Sequence, residues 1–107
     1  MSTAPKSQVL NMSELATYQE GSVVSRQITK ADAGNVTLFA FDAGQELSEH
    51  TAPYDALVHI LDGEAEVRIS GVPYTLTAGE AIIMPADGPH ALKALTKFKM
   101  LLTMIRT

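Results

Sequence analysis

A chain of 107 residues, 46% hydrophobic and 19% charged, has the size and composition of one globular domain, not the low-hydrophobicity profile of a disordered segment. Its formal charge of −4, with 8 Lys and Arg against 12 Asp and Glu, excludes the basic field that nucleic-acid phosphates require. The absence of cysteine excludes disulfides, thiolate metal sites and a Cys nucleophile.

Residues 1–10 are small and polar, with one Lys and Pro5, and predict a loose arm. They carry no apolar run of the kind that starts a signal peptide. No segment approaches the ~18 apolar residues of a membrane helix. The expectation is a cytoplasmic protein with no membrane and no nucleic-acid partner. Ser13-Glu14-Leu15-Ala16 predicts one helical turn capped by Asn11 or Ser13, the only helical signal in the chain. Residues 1–21 therefore form an arm, and residues 22–107 the folded domain.

From Ser22 onward the pattern is strand after strand. Ser22–Thr29 alternates, and Ala33-Gly34-Asn35 turns. Val36–Phe41 places Val36, Leu38 and Ala40 on one face and Thr37, Phe39 and Phe41 on the other. Glu46–His50 is short and stops before Pro53. Ala56–Leu61 is apolar apart from His59. Asp62-Gly63 reads as a tight hairpin turn, because glycine accepts the positive φ such a turn demands. Glu64–Ser70, Pro73–Thr77, Ala81–Met84, Ala91–Leu95 and Phe98–Ile105 follow, separated by Gly turns and the loop Pro85–Pro89. Short strands at this spacing predict an all-β sandwich or barrel. The basic cluster Lys93, Lys97 and Lys99 reads as a solvated strand face. The last strand is apolar on both faces and needs cover on both. One cover is the core. The other is expected to be a second copy of the chain, giving a homodimer.

The chemistry-bearing residues are three histidines. His50 and His90 each lie at a strand edge beside a loop, the arrangement by which barrels assemble sites from distant strands. Two imidazoles with a carboxylate and open positions hold non-haem iron. His59 has the opposite parity to Ala56 and is expected to face away from the interior.

Gly44, five residues, His50, and a following strand that ends at Asp62-Gly63-Glu64 resemble the first signature of the cupins. Gly79, five residues, Pro85 and then His90 resemble the second, and Gly79 to Ala86 is the most specific stretch. The resemblance covers residues 36–106 and implies a double-stranded β-helix, or jelly-roll, barrel. It also implies His50 and His90 as metal ligands. The chain departs from the family pattern where Ala52 replaces a second histidine, Ala56 the glutamate, Asp87 the loop glycine, with Gly88 beside it, and Ala94 the terminal asparagine. Two of four ligand positions therefore remain.

Glu46, which shares strand parity with His50, Asp55, one residue before Ala56, or water would complete the shell. The expected ion is iron, manganese, nickel or zinc. The pocket is otherwise apolar, with Phe39 or Phe41, Tyr54, Val58, Ile60, Met84, Leu92 and Met104 as candidate lining. Phe41, Tyr54 and Met84 are the candidate ligand-binding residues, and the Tyr54 hydroxyl is placed to orient a substrate. Two functions follow. One is a metal-dependent cupin acting on a small, oxygen-rich molecule by dioxygenase- or isomerase-like chemistry. The other is a metal-free module that binds or senses a small molecule.

Overall fold

The computed structural model describes residues 3–106. A 3-10 turn at Met12–Glu14 precedes nine strands: β1 (Val23–Ala31), β2 (Gly34–Phe41), β3 (Glu46–His50), β4 (Asp55–Asp62), β5 (Glu64–Ile69), β6 (Val72–Thr77), β7 (Ala81–Met84), β8 (His90–Ala94) and β9 (Phe98–Ile105). They form two antiparallel sheets. The larger has the order β1-β2-β9-β4-β7, the smaller β3-β8-β5-β6. The fold is all-β, as the strand pattern predicts, and has the jelly-roll form that the cupin resemblance implies. Among the described residues no helix is long and apolar enough to cross a membrane.

The period-2 alternation decides what lies inside. Phe41 from β2, Ala56, Val58 and Ile60 from β4, Ala65 and Val67 from β5, Leu92 from β8, and Phe98 and Met100 from β9 meet between the sheets. Each of these side chains is almost wholly removed from water. At about 25 cal/mol per Å² of apolar area, such burial is the main favourable contribution to the fold.

The larger sheet is apolar on its outer side too. Leu38 and Ala40 of β2 and Ile28 of β1 are buried there beneath Leu10, Met12, Leu15 and Tyr18. The arm is thus docked, not loose. Ala4 is buried and its N–H donates to the Ile28 carbonyl at 2.9 Å. Its apolar residues have an open sheet face to cover, and burial outweighs the freedom of the chain. The 3-10 turn is closed by backbone alone, Glu14 N–H donating to the Asn11 carbonyl at 3.0 Å, with no side-chain cap. The Tyr18 hydroxyl donates to Asp62 at 2.5 Å, and the Lys99 ammonium lies 4.9 Å from the Tyr18 ring centre. Lys99 therefore serves the arm instead of standing free in solvent.

Asp62-Gly63 is not a hairpin. β4 pairs with β7 and β9, whereas β5 pairs with β6 and β8, so the chain changes sheet at Gly63. Positive φ is required at this corner as at a hairpin, which is why the local sequence does not separate the two. Gly63 has φ +78°, and a Cβ there would lie 1.9 Å from the Lys97 carbonyl oxygen. Two-residue hairpins occur instead at Asp32-Ala33, between the paired residues Ala31 and Gly34, and at Ser70-Gly71, with φ +50° and +81°, between the paired residues Ile69 and Val72.

Gly63→Ala should therefore cost about 2–5 kcal/mol, from left-handed strain plus overpacking against backbone. Gly44→Ala, at φ +81° with open space around it, should cost about 1–2 kcal/mol from strain alone. Urea denaturation of the two variants against the parent checks the difference. Equal losses would show that the close approach at Lys97 carries no weight.

Candidate functional site

β3 and β8 pair at one edge of the smaller sheet, and their register is irregular. Leu47 faces Leu92 and His50 faces His90, so three residues of β3 span the distance that two residues of β8 span. This β-bulge at Ser48 and Glu49 reverses parity along β3. Leu47 and His50 both point inward. Glu46 stands opposite Lys93 on the outer face, which also carries Glu66. Glu46 is thereby removed from the histidines, and the parity argument that joined it to His50 fails at the bulge.

The two imidazoles meet at the mouth of a cavity, His90 buried and His50 exposed. Their Nε2 atoms are 3.1 Å apart, with ring centres at 4.3 Å and planes crossing at 73°. His50 Nδ1 lies 2.8 Å from the Ser48 carbonyl and His90 Nδ1 3.2 Å from the Gly88 carbonyl. A carbonyl only accepts, so each Nδ1 carries the proton and each neutral ring presents an Nε2 lone pair to the other. Two lone pairs at this distance repel unless a proton or a cation lies between them. Two nitrogens bound about 2.0–2.1 Å from one ion, at tetrahedral to right angles, lie about 2.8–3.4 Å apart. The observed 3.1 Å falls within that range. The backbone carbonyls fix the tautomer and orientation of each ring.

His90 is 4% exposed, and its pKa is held below the usual histidine value, first by burial and then by the proximity of His50, against the opposing pull of the Gly88 carbonyl.

The loop between β7 and β8 is pinned from several sides. Ala86 N–H donates to the Asp55 carboxylate at 2.8 Å, Asp87 N–H to the Ala52 carbonyl at 2.7 Å, and Ser70 N–H to the Pro89 carbonyl at 2.8 Å. Asp55 therefore orients the loop that presents the Gly88 carbonyl. It is exposed and takes no part in the cavity wall, so it is not placed as a metal ligand. Asp87 adopts φ +63°, the left-handed conformation for which glycine is the easiest residue, and aspartate tolerates it.

The histidines open onto a cavity of about 440 Å³. Its wall is mostly apolar and includes Phe39, Leu47, Tyr54, Met84, Leu92, Met100 and Met104. Tyr54 and Met84 stand there, but Phe41 does not. Phe41 shares a face with Phe39 yet lies two residues deeper, stacked on Phe98 with ring centres 4.5 Å apart, and is fully buried. Val58 and Ile60 likewise belong to the closed core below the cavity. Met100, on the same face of β9 as Met104, was accessible to the parity reading. The Ser48 and Gly88 carbonyls were not, because a bulge and a loop present them. His59 faces away from the interior, between Ala81 and Leu101 on the outer side of the larger sheet. Among the described residues no group of three or more His, Cys, Asp or Glu side chains is placed to hold a metal ion. Among the described residues the two imidazoles supply the side-chain nitrogens on this cavity wall.

Comparison with known proteins agrees with this architecture. A family model described as the cupin domain matches residues 37–106, and the chain belongs to the cupin family. A crystal structure of a conserved protein of unknown function from Streptococcus pyogenes, SPY1581, superposes with a TM-score of 0.92 at 34% identity, covering 100% of this chain and 96% of that one. A cupin superfamily protein from Desulfitobacterium hafniense, DSY2733, superposes with a TM-score of 0.91 at 27% identity over 99% and 97% of the two chains. Protein SchB from Streptomyces halstedii is 30% identical over 80 residues, which span 70% of this chain and 58% of SchB.

The lowered His90 pKa fixes the sign of a pH effect on the chelator-treated protein. Where the folded pKa lies below the unfolded one, the unfolded chain takes up more protons, so stability rises with pH. The contribution of His90 should be complete above its unfolded value, near pH 6.5, and diminish as pH falls below it. Thermal melts in chelator between pH 7.5 and 5 should show a falling Tm that His90→Asn flattens. An unchanged slope in the variant would assign the acid sensitivity to other groups.

Proposed function

We propose that this cupin binds a divalent transition-metal ion between His50 and His90 and a small, oxygen-bearing ligand beside it. The observation that carries the reading is the convergence of two Nε2 lone pairs at 3.1 Å, with both Nδ1 protons committed to backbone carbonyls. Iron, nickel and zinc suit an imidazole donor pair, whereas manganese prefers oxygen donors and would need more of them from the ligand. When bound, the ion supplies Lewis acidity to an oxygen of the ligand. The chain's own residues supply the rest. The apolar wall excludes water, Phe39 offers a flat surface, and the Tyr54 hydroxyl can donate to or accept from the ligand. A volume of about 440 Å³ lies in the ordinary range for small-molecule sites. This supports the isomerase- or dioxygenase-like reading of the site. A metal-free binding or sensing module is the competing reading, in which the histidine pair shares a proton.

Elemental analysis of protein purified without chelator, beside the His50→Ala/His90→Ala double variant, separates the two. Near-stoichiometric metal in the parent and none in the variant is expected. No metal in either, with ligand-induced thermal shifts that chelator leaves unchanged, would favour the metal-free module.

The reading extends to a homodimer. Leu57 and Ile83, paired across β4 and β7, and Ile105 at the end of β9 are 38%, 61% and 59% exposed on the outer face of the larger sheet, beyond the reach of the arm. β7 is also an edge strand, and its unpaired backbone invites another strand. A second copy of the chain would cover this half. Sedimentation at micromolar concentration should give a dimer that Ile83→Lys dissociates. Monomer mass for the parent would overturn the dimer.

A further inference from the structure

The side-chain heteroatoms on the cavity wall, apart from the histidines, are the Thr51 and Tyr54 hydroxyls and the thioether sulfurs of Met84, Met100 and Met104. No carboxylate stands on that wall. Three of the five methionines in the chain thus line the one cavity into which His50 and His90 point. Their placement is not diffuse. Ala56 of β4 is paired with Met84 on one side and Met104 on the other, so the two methionines flank a small side chain. Directly opposed residues on neighbouring strands have Cβ atoms about 4.5–5.5 Å apart and share a face. Alanine between them leaves room for both flexible thioethers to turn into the cavity. The histidines enter from the facing sheet.

Two nitrogens 3.1 Å apart take adjacent corners of a coordination shell, not opposite ends of a linear one. The rest of the shell therefore lies on the far side of the ion. Hard cations would find no anionic oxygen there. Soft thioethers select copper(I), and imidazole suits copper as well.

We propose that the cavity is a copper(I) site in which His50 and His90 supply two nitrogens and Met84 and Met104 supply sulfur. The inference rests on the two-histidine metal reading above and replaces its water or ligand oxygens by thioethers when the ion is soft and monovalent. Because the chain has no cysteine, any sulfur bound to the ion must come from methionine.

The test is an anaerobic titration of the full chain with copper(I) in competition with a chromophoric copper(I) chelator, and a parallel titration with zinc(II). The parent, Met84→Leu/Met104→Leu and His50→Ala/His90→Ala are compared. Leucine conserves volume, so folding should survive the exchange. Copper(I) affinity should fall at least tenfold in the leucine variant while zinc(II) affinity changes less than twofold. X-ray absorption of the copper(I)-loaded parent should show sulfur beside nitrogen in the first shell, a readout that depends on no variant folding. Equal copper(I) affinity in parent and leucine variant, or a shell of nitrogen and oxygen alone, would overturn the thioether site while leaving the two-histidine site standing. Parent protein that holds neither ion more tightly than the double-histidine variant would overturn both.

Discussion

Two acceptors aimed at each other across 3.1 Å, one on buried His90 and one on exposed His50, are unfavourable, and most of the local structure near the cavity mouth serves to keep them there. The bulge in β3 turns the Ser48 carbonyl onto His50, and the loop held by Asp55, Ala52 and Ser70 turns the Gly88 carbonyl onto His90. Among the described residues every buried side-chain nitrogen and oxygen has a hydrogen-bond partner. The histidine pair satisfies that condition only when a proton or cation joins the rings. An unpaired buried acceptor costs about 1–3 kcal/mol, so leaving the Nε2 of His90 without a partner costs enough to favour an occupant and little enough for the fold to bear.

How much of this was legible in the sequence depends on whether the signal was local. Glu46–His50 and Ala81–Met84 are read at their true bounds because Gly44 and Pro53, and Gly79 and Pro85, bracket them, whereas Phe98–Ile105 is read from its run of apolar residues. Asp62-Gly63 is misread because positive φ is a property of one residue, whereas strand pairing is a property of the whole topology. His50 and His90 stand out by spacing alone. Glu46 does not belong with them, because strand parity holds only while the ladder is regular, and a bulge inserts a residue without announcing itself. Phe39 and Phe41 show the same limit in another direction. Alternation fixes the face on which a side chain lies but not its depth along the barrel.

The arm shows how the outside of this barrel bears on the inside. Leu38 and Ala40 on β2, and Leu101 on β9, lie on the outer side of the larger sheet and pack with the arm. Their immediate neighbours Phe39 and Met100 face the cavity. A strand cannot shift its outer residues without shifting its inner ones, because successive side chains leave the same backbone in opposite directions. Tyr18, donating to Asp62 and lying beneath Lys99, fixes the arm at the end of the sheet where β4 turns into β5. Burial and the Asp62 carboxylate push the Tyr18 phenol above its usual pKa, so this link stays protonated through the neutral range. Sheet register, and with it the wall opposite the histidines, is thus held by residues that never touch the cavity. On the β4–β7 half of the same sheet the arm reaches Leu61 and Asp62 at the end of β4, while Leu57 and Ile83 stay exposed, with Met84 directly behind Ile83. Whatever covers Ile83 would stiffen the methionine side of the site as the arm already stiffens the phenylalanine side.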